Sequence, residues 1–142
     1  MKEYVLGFAF DIKKPNVVLI EKEKPEWQNG FLNGVGGKIE SYDETIFSAM
    51  EREFKEETGV GSWNVWKHFA TLTFDNDILG GAKVYCFKVF NDIIYQCKTM
   101  ESEEIKIINV LDLNNKKCIR HIKTLIPMAM DDSIDFCELK MN

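Results

Sequence analysis

The sequence predicts an α/β protein in which a mixed central sheet carries two main helices on its faces. Three patterns point there. Short apolar and β-branched runs end at turn residues, one apolar stripe at helical spacing covers about 43–58, and a second follows residue 114. Strands before, between and after two helices imply such a mixed sheet.

Residues 4–10 (YVLGFAF) and 17–21 (VVLIE) read as strands joined by a KKPN turn, with Pro15 and Asn16 as turn formers. Residues 27–31 (WQNGF) carry an Asn-Gly turn signal, and LNGV then leads into Gly36-Gly37. From about Asp43 to Thr58 the pattern is helical, with Ile46, Phe47, Met50 and Phe54 on one side. Asp43 or Thr45 is a candidate cap, Ser41 with Glu44 fits a capping box, and Gly59 suits the position just past the end. Residues 63–74 and 82–90 read as strands around a DNDILGG connection, and 105–111 as another. Asn114 or Asn115 caps a last helix with the stripe Ile119, Ile122, Leu125 and Ile126, and Pro127 opposes its continuation. Residues 134–139 form a short closing strand.

A chain of 142 residues, 45% hydrophobic and 29% charged, fits one compact domain over 1–142. The net charge of -5 opposes a stable nucleic-acid complex but not a phosphorylated ligand that arrives with a cation. The N-terminal apolar run is too short for a membrane span, is interrupted by Asp11, and lacks a signal-peptide cleavage pattern. Cys86, Cys97, Cys118 and Cys137 form no CxxC pair, so free thiols in a reducing cytoplasm are expected.

The stretch REFKEETG over 52–59 stands out. On a helix Glu53, Glu56 and Glu57 crowd one turn, at a cost of roughly 0.2–0.5 kcal/mol per like-charge pair. An apolar stripe on the opposite side holds that turn in place. Adjacent glycines just upstream, in GVGGKIE, let the backbone come close to a ligand. Fixed carboxylates beside such a bend suit a hard divalent cation, which takes oxygen ligands and leaves positions for water and phosphate. A cation relieves the repulsion, neutralises phosphate charge and acidifies an attacking water.

Residues 37–60, GKIESYDETIFSAMEREFKEETGV, resemble the Nudix box of the MutT/Nudix hydrolases. Arg52, Glu53, Phe54, Glu56, Glu57, Gly59 and Val60 match its tail in full. Six residues rather than five separate Gly37 from Glu44, which is read as a one-residue insertion within Ser41, Tyr42 and Asp43. The resemblance implies an α/β/α sandwich and Mg²⁺- or Mn²⁺-assisted hydrolysis of a nucleoside diphosphate linked to another group. Carried over by position, Glu53, Glu56 and Glu57 are the metal ligands and the Gly36 carbonyl is a further one. Arg52 orients the glutamates, Lys38 faces phosphate oxygens, and Glu44, Gly37 and Gly59 are structural. Glu53 is the first candidate for general base. Glu104, in ESEEIKI, is the second, where related triphosphatases place an additional metal-linked glutamate.

For the base, Asn33 stands where oxidised-purine triphosphatases of the family place an asparagine, while Trp27 and Phe74 are candidate pocket walls. Asp75 and Asn76 stand where ADP-ribose hydrolases carry proline. Asp77 and Ile78 stand where diadenosine-polyphosphate hydrolases carry tyrosine. These absences favour a nucleoside triphosphate such as 8-oxo-dGTP, cut to monophosphate and pyrophosphate. The alternatives are ADP-ribose, a nucleotide sugar, a dinucleoside polyphosphate or capped RNA as substrate, or a sensor that binds without hydrolysis. His68 and His121 suggest no nucleophile–base pair.

Overall fold

The computed structural model describes residues 1–61, 65–75 and 80–141. Among the described residues, eight strands and two α-helices are ordered β1 (Lys2–Phe10), β2 (Asn16–Glu21), β3 (Leu32–Asn33), β4 (Val35–Lys38), α1 (Ile46–Thr58), β5 (Lys67–Phe74), β6 (Ala82–Phe90), β7 (Glu104–Asn109), α2 (Ile122–Met130) and β8 (Cys137–Met141). The sheet is mixed, as the sequence predicts. Strand β1 runs parallel to β6 along its whole length and antiparallel to β4, with Leu6 opposite Gly36 and Val5 opposite Gly37. Strand β5 pairs antiparallel with β6 and parallel with β8. A smaller antiparallel group, β3–β2–β7, joins β1 where Phe10 meets Val17.

Parity along β1 explains the two helical layers. Leu6, Phe8 and Phe10 point to the face covered by α2, while Val5 and Ala9 point to the face covered by α1. Strand β2 splits likewise, Val17 and Leu19 against Val18 and Ile20. Such strands, buried on both faces, read as continuous apolar runs. The result is an α/β/α sandwich with one core on each side of the sheet.

Helix α1 docks through Ala49, Met50, Phe54 and Thr58. Met50 and Phe54 are fully buried, each stabilising by about 1.5–3 kcal/mol. Ile46 packs at the edge of that core, whereas Phe47 is 44% exposed and only touches the Phe87 ring edge-on. Thr45, not Ser41 or Asp43, caps the start, with Ser48 completing a reciprocal box. Gly59 ends the helix at φ 79°, a left-handed conformation that suits glycine.

Several element bounds differ from those the sequence predicts. The second helix begins at Ile122 rather than beside Asn114 or Asn115, because residues 117–119 pair with β3. Leu32 N–H donates to the Lys117 carbonyl and Ile119 N–H to the Leu32 carbonyl. Pro127 lies inside α2 instead of ending it. Lys123, whose carbonyl loses its N–H donor there, is exposed like Pro127, while Leu125, Ile126 and Ala129 hold the helix to the core. The strand expected over 105–111 stops at Asn109, whose side chain caps a 3-10 turn at Leu111 N–H. The closing strand starts at Cys137 because Asp131 first organises a turn through Ser133 and Ile134. Strand β5 starts at Lys67; Trp63, where the sequence begins it, lies outside the described residues. Cys86 is buried and Cys97, Cys118 and Cys137 are partly buried, all four as free thiols. Among the described residues no helix is long and apolar enough to cross a membrane.

Candidate active site

The acidic turn of α1 and the diglycine of β4 meet face to face. A Cβ built on Gly37 would stand 2.5 Å from both Glu53 carboxylate oxygens, so glycine is what lets that carboxylate lie against the strand. Gly36 serves the sheet instead: a Cβ there would overlap the Val5 carbonyl oxygen across the β1–β4 pairing.

Arg52 is the hub of the turn. Its Nη1 donates to Glu53 Oε1 at 2.9 Å and to Glu56 Oε2 at 3.3 Å, and its Nη2 donates to the Lys38 carbonyl at 3.1 Å. The remaining face forms a fork onto Asp43, Nε to Oδ1 at 2.9 Å and Nη2 to Oδ2 at 2.8 Å. Asp43 in turn accepts from Glu40 N–H and closes the loop before the helix. The guanidinium holds the Asp43 carboxyl below the usual range, and Asp43 and Glu53 in turn raise the pKa of Arg52. Arg52 thus ties Glu53, Glu56 and Asp43 to one guanidinium.

The structural role assigned to Glu44 belongs to Asp43. Glu44 is exposed, and Asp43 keeps five residues between itself and Gly37, so the extra residue lies between Asp43 and Arg52, at the helix start. Helical side chains lean toward the N-terminus, which brings the guanidinium back onto Asp43. Replacing Asp43 by Ala should cost about 2–3 kcal/mol in denaturant unfolding, because Arg52 loses a largely desolvated partner. Glu44→Ala should change stability by less than about 0.5 kcal/mol.

Glu57 lies beyond this network. Its Oε2 is buried with no hydrogen-bond partner among the described residues. Burial pushes its pKa up to about 7, helped by the charges of Glu101 and Glu103 and opposed by Lys22. Burial also raises the pKa of Glu53 against the pull of Arg52. Among the described residues no three His, Cys, Asp or Glu side chains already converge as a finished metal cage. The donor set nonetheless fits a hard cation: an orphaned carboxylate oxygen on Glu57, a second carboxylate seated on glycine, and Glu56 exposed beside them.

The expectation for Glu104 needs correction. Strand pairing sets it opposite Glu21, its side chain is 61% exposed, and its charged partner is Lys106 at 3.9 Å. Glu101 and Glu103, just upstream, add their charge to that of Glu53 on Glu57. Glu103 is committed to the β2 exit, accepting from Lys22 Nζ at 2.9 Å, Glu23 N–H at 2.7 Å and Lys24 N–H at 3.1 Å. Glu101 is exposed.

A cavity of about 570 Å³ opens next to the diglycine. Gly36 and Gly37 bound it at one end, and Trp27, Asn33 and Phe74 line it as the sequence suggests. Trp27 is 68% exposed, an uncovered aromatic face. Asn33 Oδ1 accepts from Gly34 N–H at 2.8 Å, which leaves the side-chain amide N–H groups for a ligand. The Phe74 ring meets His121 edge-on at 5.9 Å. Lys38 does not reach this cavity; it is exposed at the end of β4 and contributes its carbonyl to Arg52. Sequence reasoning missed Lys22, Gln28 and His121 in the lining. Asn76, Asp77 and Ile78, read for substrate branch, lie outside the described residues.

Solved structures share this architecture. The NUDIX domain of Shewanella oneidensis NrtR, crystallised with ADP ribose, superposes with a TM-score of 0.75 at 19% identity, covering 88% of this chain and 83% of that one. A MutT structure from work on Aliivibrio salmonicida and Vibrio cholerae gives 0.65 at 20% identity, covering 91% and 95%. The Bacillus halodurans MutT protein gives 0.73 at 16% identity, covering 100% and 91%. No curated protein matches the sequence significantly. The family model described as NUDIX domain matches residues 3–125, which takes in β1 from Glu3 on, the diglycine, the whole of α1 and the cavity walls apart from Lys2. With that match spanning most of the chain, and the box folded as a glycine bend under an acidic helix turn, this protein belongs to the Nudix family.

Proposed function

We propose that this chain, a single Nudix hydrolase domain over 1–142, is a Mg²⁺-dependent pyrophosphohydrolase of nucleoside triphosphates, with Mn²⁺ as the substitute ion. Its products are the nucleoside monophosphate and pyrophosphate, its preferred base a 6-oxopurine such as that of 8-oxo-dGTP, and its place of action the cytoplasm. One observation carries the reading: a cavity with an aromatic face and a side-chain amide ends at Gly37, against which the Glu53 carboxylate lies. Its volume of about 570 Å³ falls within the range for small-molecule sites. The base would lie between Trp27 and Phe74 with Asn33 donating to its edge, and the phosphates would run past Gly36 toward α1.

When bound, the divalent ion supplies charge neutralisation and an acidified water. Glu53, Glu56 and Glu57 would hold it, with the Gly36 carbonyl a further ligand and Glu101 replacing Glu104 as the additional carboxylate. Glu53 would accept the proton of the attacking water through Oε2, since its Oε1 is held by Arg52. Lys22, lining the cavity near the acidic turn, would face phosphate oxygens in place of Lys38.

The test is a panel of dNTPs, 8-oxo-dGTP, ADP-ribose and diadenosine polyphosphates, scored by kcat/KM with Mg²⁺ and with chelator. The expected result is pyrophosphate release, greatest for the 6-oxopurines and lost with chelator. A flat profile would remove Asn33 as a base reader. Binding without turnover would favour a sensor.

A further inference from the structure

Gln28 stands in the cavity wall with a side-chain oxygen unpartnered among the described residues. Its Oε1 is buried and has no hydrogen-bond partner among the described residues, yet the residue lines the cavity beside Trp27 and Asn33. A buried amide oxygen left without a partner costs free energy, so such a group in a cavity wall points to something that binds there. The backbone that carries it is pinned. Gln28 N–H donates to the Pro25 carbonyl at 2.8 Å, and Phe31 N–H donates to the Gln28 carbonyl at 2.9 Å. The loop is closed again by Lys22 N–H to the Phe31 carbonyl and Gly30 N–H to the Lys22 carbonyl, both at 2.8 Å. The side chain is therefore projected from a fixed 3-10 turn, Glu26–Gln28, rather than from a loose loop.

Asn33 offers the opposite polarity. With its oxygen turned to Gly34 N–H, it presents N–H groups to the cavity. The wall thus carries a donor at Asn33, whose sense is fixed by Gly34 N–H, and at Gln28 an acceptor oxygen unpartnered among the described residues.

We propose that Gln28 is a specificity-determining residue of this site: its Oε1 accepts the ring N1–H of a 6-oxopurine while Asn33 Nδ2 donates to the adjacent O6. The proposal rests on the nucleotide reading above and sharpens it. A 6-aminopurine presents a ring acceptor and an exocyclic donor in the reverse order, so it cannot satisfy both groups in the same pose. A site built to hydrogen-bond a ring N–H also rejects a ligand that lacks it, because the buried acceptor is left unpaired.

The test compares wild type, Gln28→Leu and Gln28→Glu on GTP, N1-methyl-GTP and ATP. Gln28→Leu should lower kcat/KM for GTP about tenfold, through KM, down to the wild-type value for N1-methyl-GTP. It should not lower kcat/KM for ATP, for which wild type leaves the Gln28 acceptor unpaired. Gln28→Glu keeps an acceptor oxygen and should keep the preference for GTP over N1-methyl-GTP. Equal losses on all three nucleotides, or no loss on GTP, would overturn the proposal; a melting curve for each variant separates a folding defect from lost recognition. If wild type turns over none of these, the triphosphatase reading fails on its own. Calorimetric binding of GTP and N1-methyl-GTP to the same variants then still decides whether Gln28 reads the base.

Discussion

Glu57→Gln should abolish turnover while making the folded protein more stable. The loss in kcat should be about 10²–10³-fold or greater, the range for removing a preorganised electrostatic group from a reacting centre. Stability should move the other way for a definite reason. Glu57 has its pKa raised from 4.5 to about 7, so the folded chain binds its proton more tightly than the unfolded chain does. Above the ordinary value, ionisation of Glu57 therefore opposes folding, and that opposition is fully present once pH exceeds about 7. An amide removes it. After allowance for solvent screening the gain should be about 1 kcal/mol, or a rise of about 4 °C in Tm at pH 8. Mg²⁺ should raise the Tm of wild type, because it relieves the same repulsion, and should raise that of Glu57→Gln much less. Glu56→Gln provides the control: exposed, and tethered among the described residues to Arg52, it should lose activity with little change in Tm in the absence of metal. A Glu57→Gln enzyme with wild-type turnover would refute the metal-holding role of this turn.

The acidic turn was legible in the sequence because the helical apolar period fixes it. The apolar residues at 50 and 54 choose the buried side of α1, and that choice alone presents Glu53, Glu56 and Glu57 on the other. The glycine bend was legible because few residues tolerate backbone so close to a neighbouring strand and a carboxylate. What stayed hidden depended on where loops stop. Asp43 and Glu44 are adjacent acids, and only the capping of α1 by Thr45 decides which of them meets Arg52. Glu101, Glu103 and Glu104 share the run ESEE, and the start of β7 at Glu104 decides which face the helix and which pairs beside Glu21. Gln28 and His121 lie on segments with no periodicity at all. Their place in the cavity follows from long-range pairing, of the 22–31 loop on itself and of 117–119 with β3. Sequence patterns record local burial well, and they record which loops meet hardly at all.

Gly37→Ala and Gly36→Ala should fail in different ways, and the contrast tests the architecture of the site. At Gly36 the added methyl would overlap the Val5 carbonyl oxygen and stand 2.9 Å from the Val5 carbonyl carbon, atoms that cannot rotate away. Relief requires β4 to lift from β1, so pairing between Tyr4–Gly7 and Val35–Lys38 is lost and the protein should be insoluble or destabilised by more than about 3 kcal/mol. At Gly37 the three atoms nearest the methyl all belong to the Glu53 carboxylate, the end of a flexible side chain. Glu53 can swing toward Arg52, which already holds its Oε1, so unfolding should shift by no more than about 1 kcal/mol. Activity is another matter. A displacement of about 1 Å at a catalytic carboxylate costs about 10²-fold, and the loss should appear in kcat rather than in nucleotide binding. Denaturant unfolding, single-turnover rates and calorimetric binding of a non-hydrolysable nucleotide measure the three quantities separately. If Gly37→Ala folds and turns over like wild type, the close seat of Glu53 on β4 has no part in catalysis, and the chemistry must be carried by Glu56 and Glu57 alone.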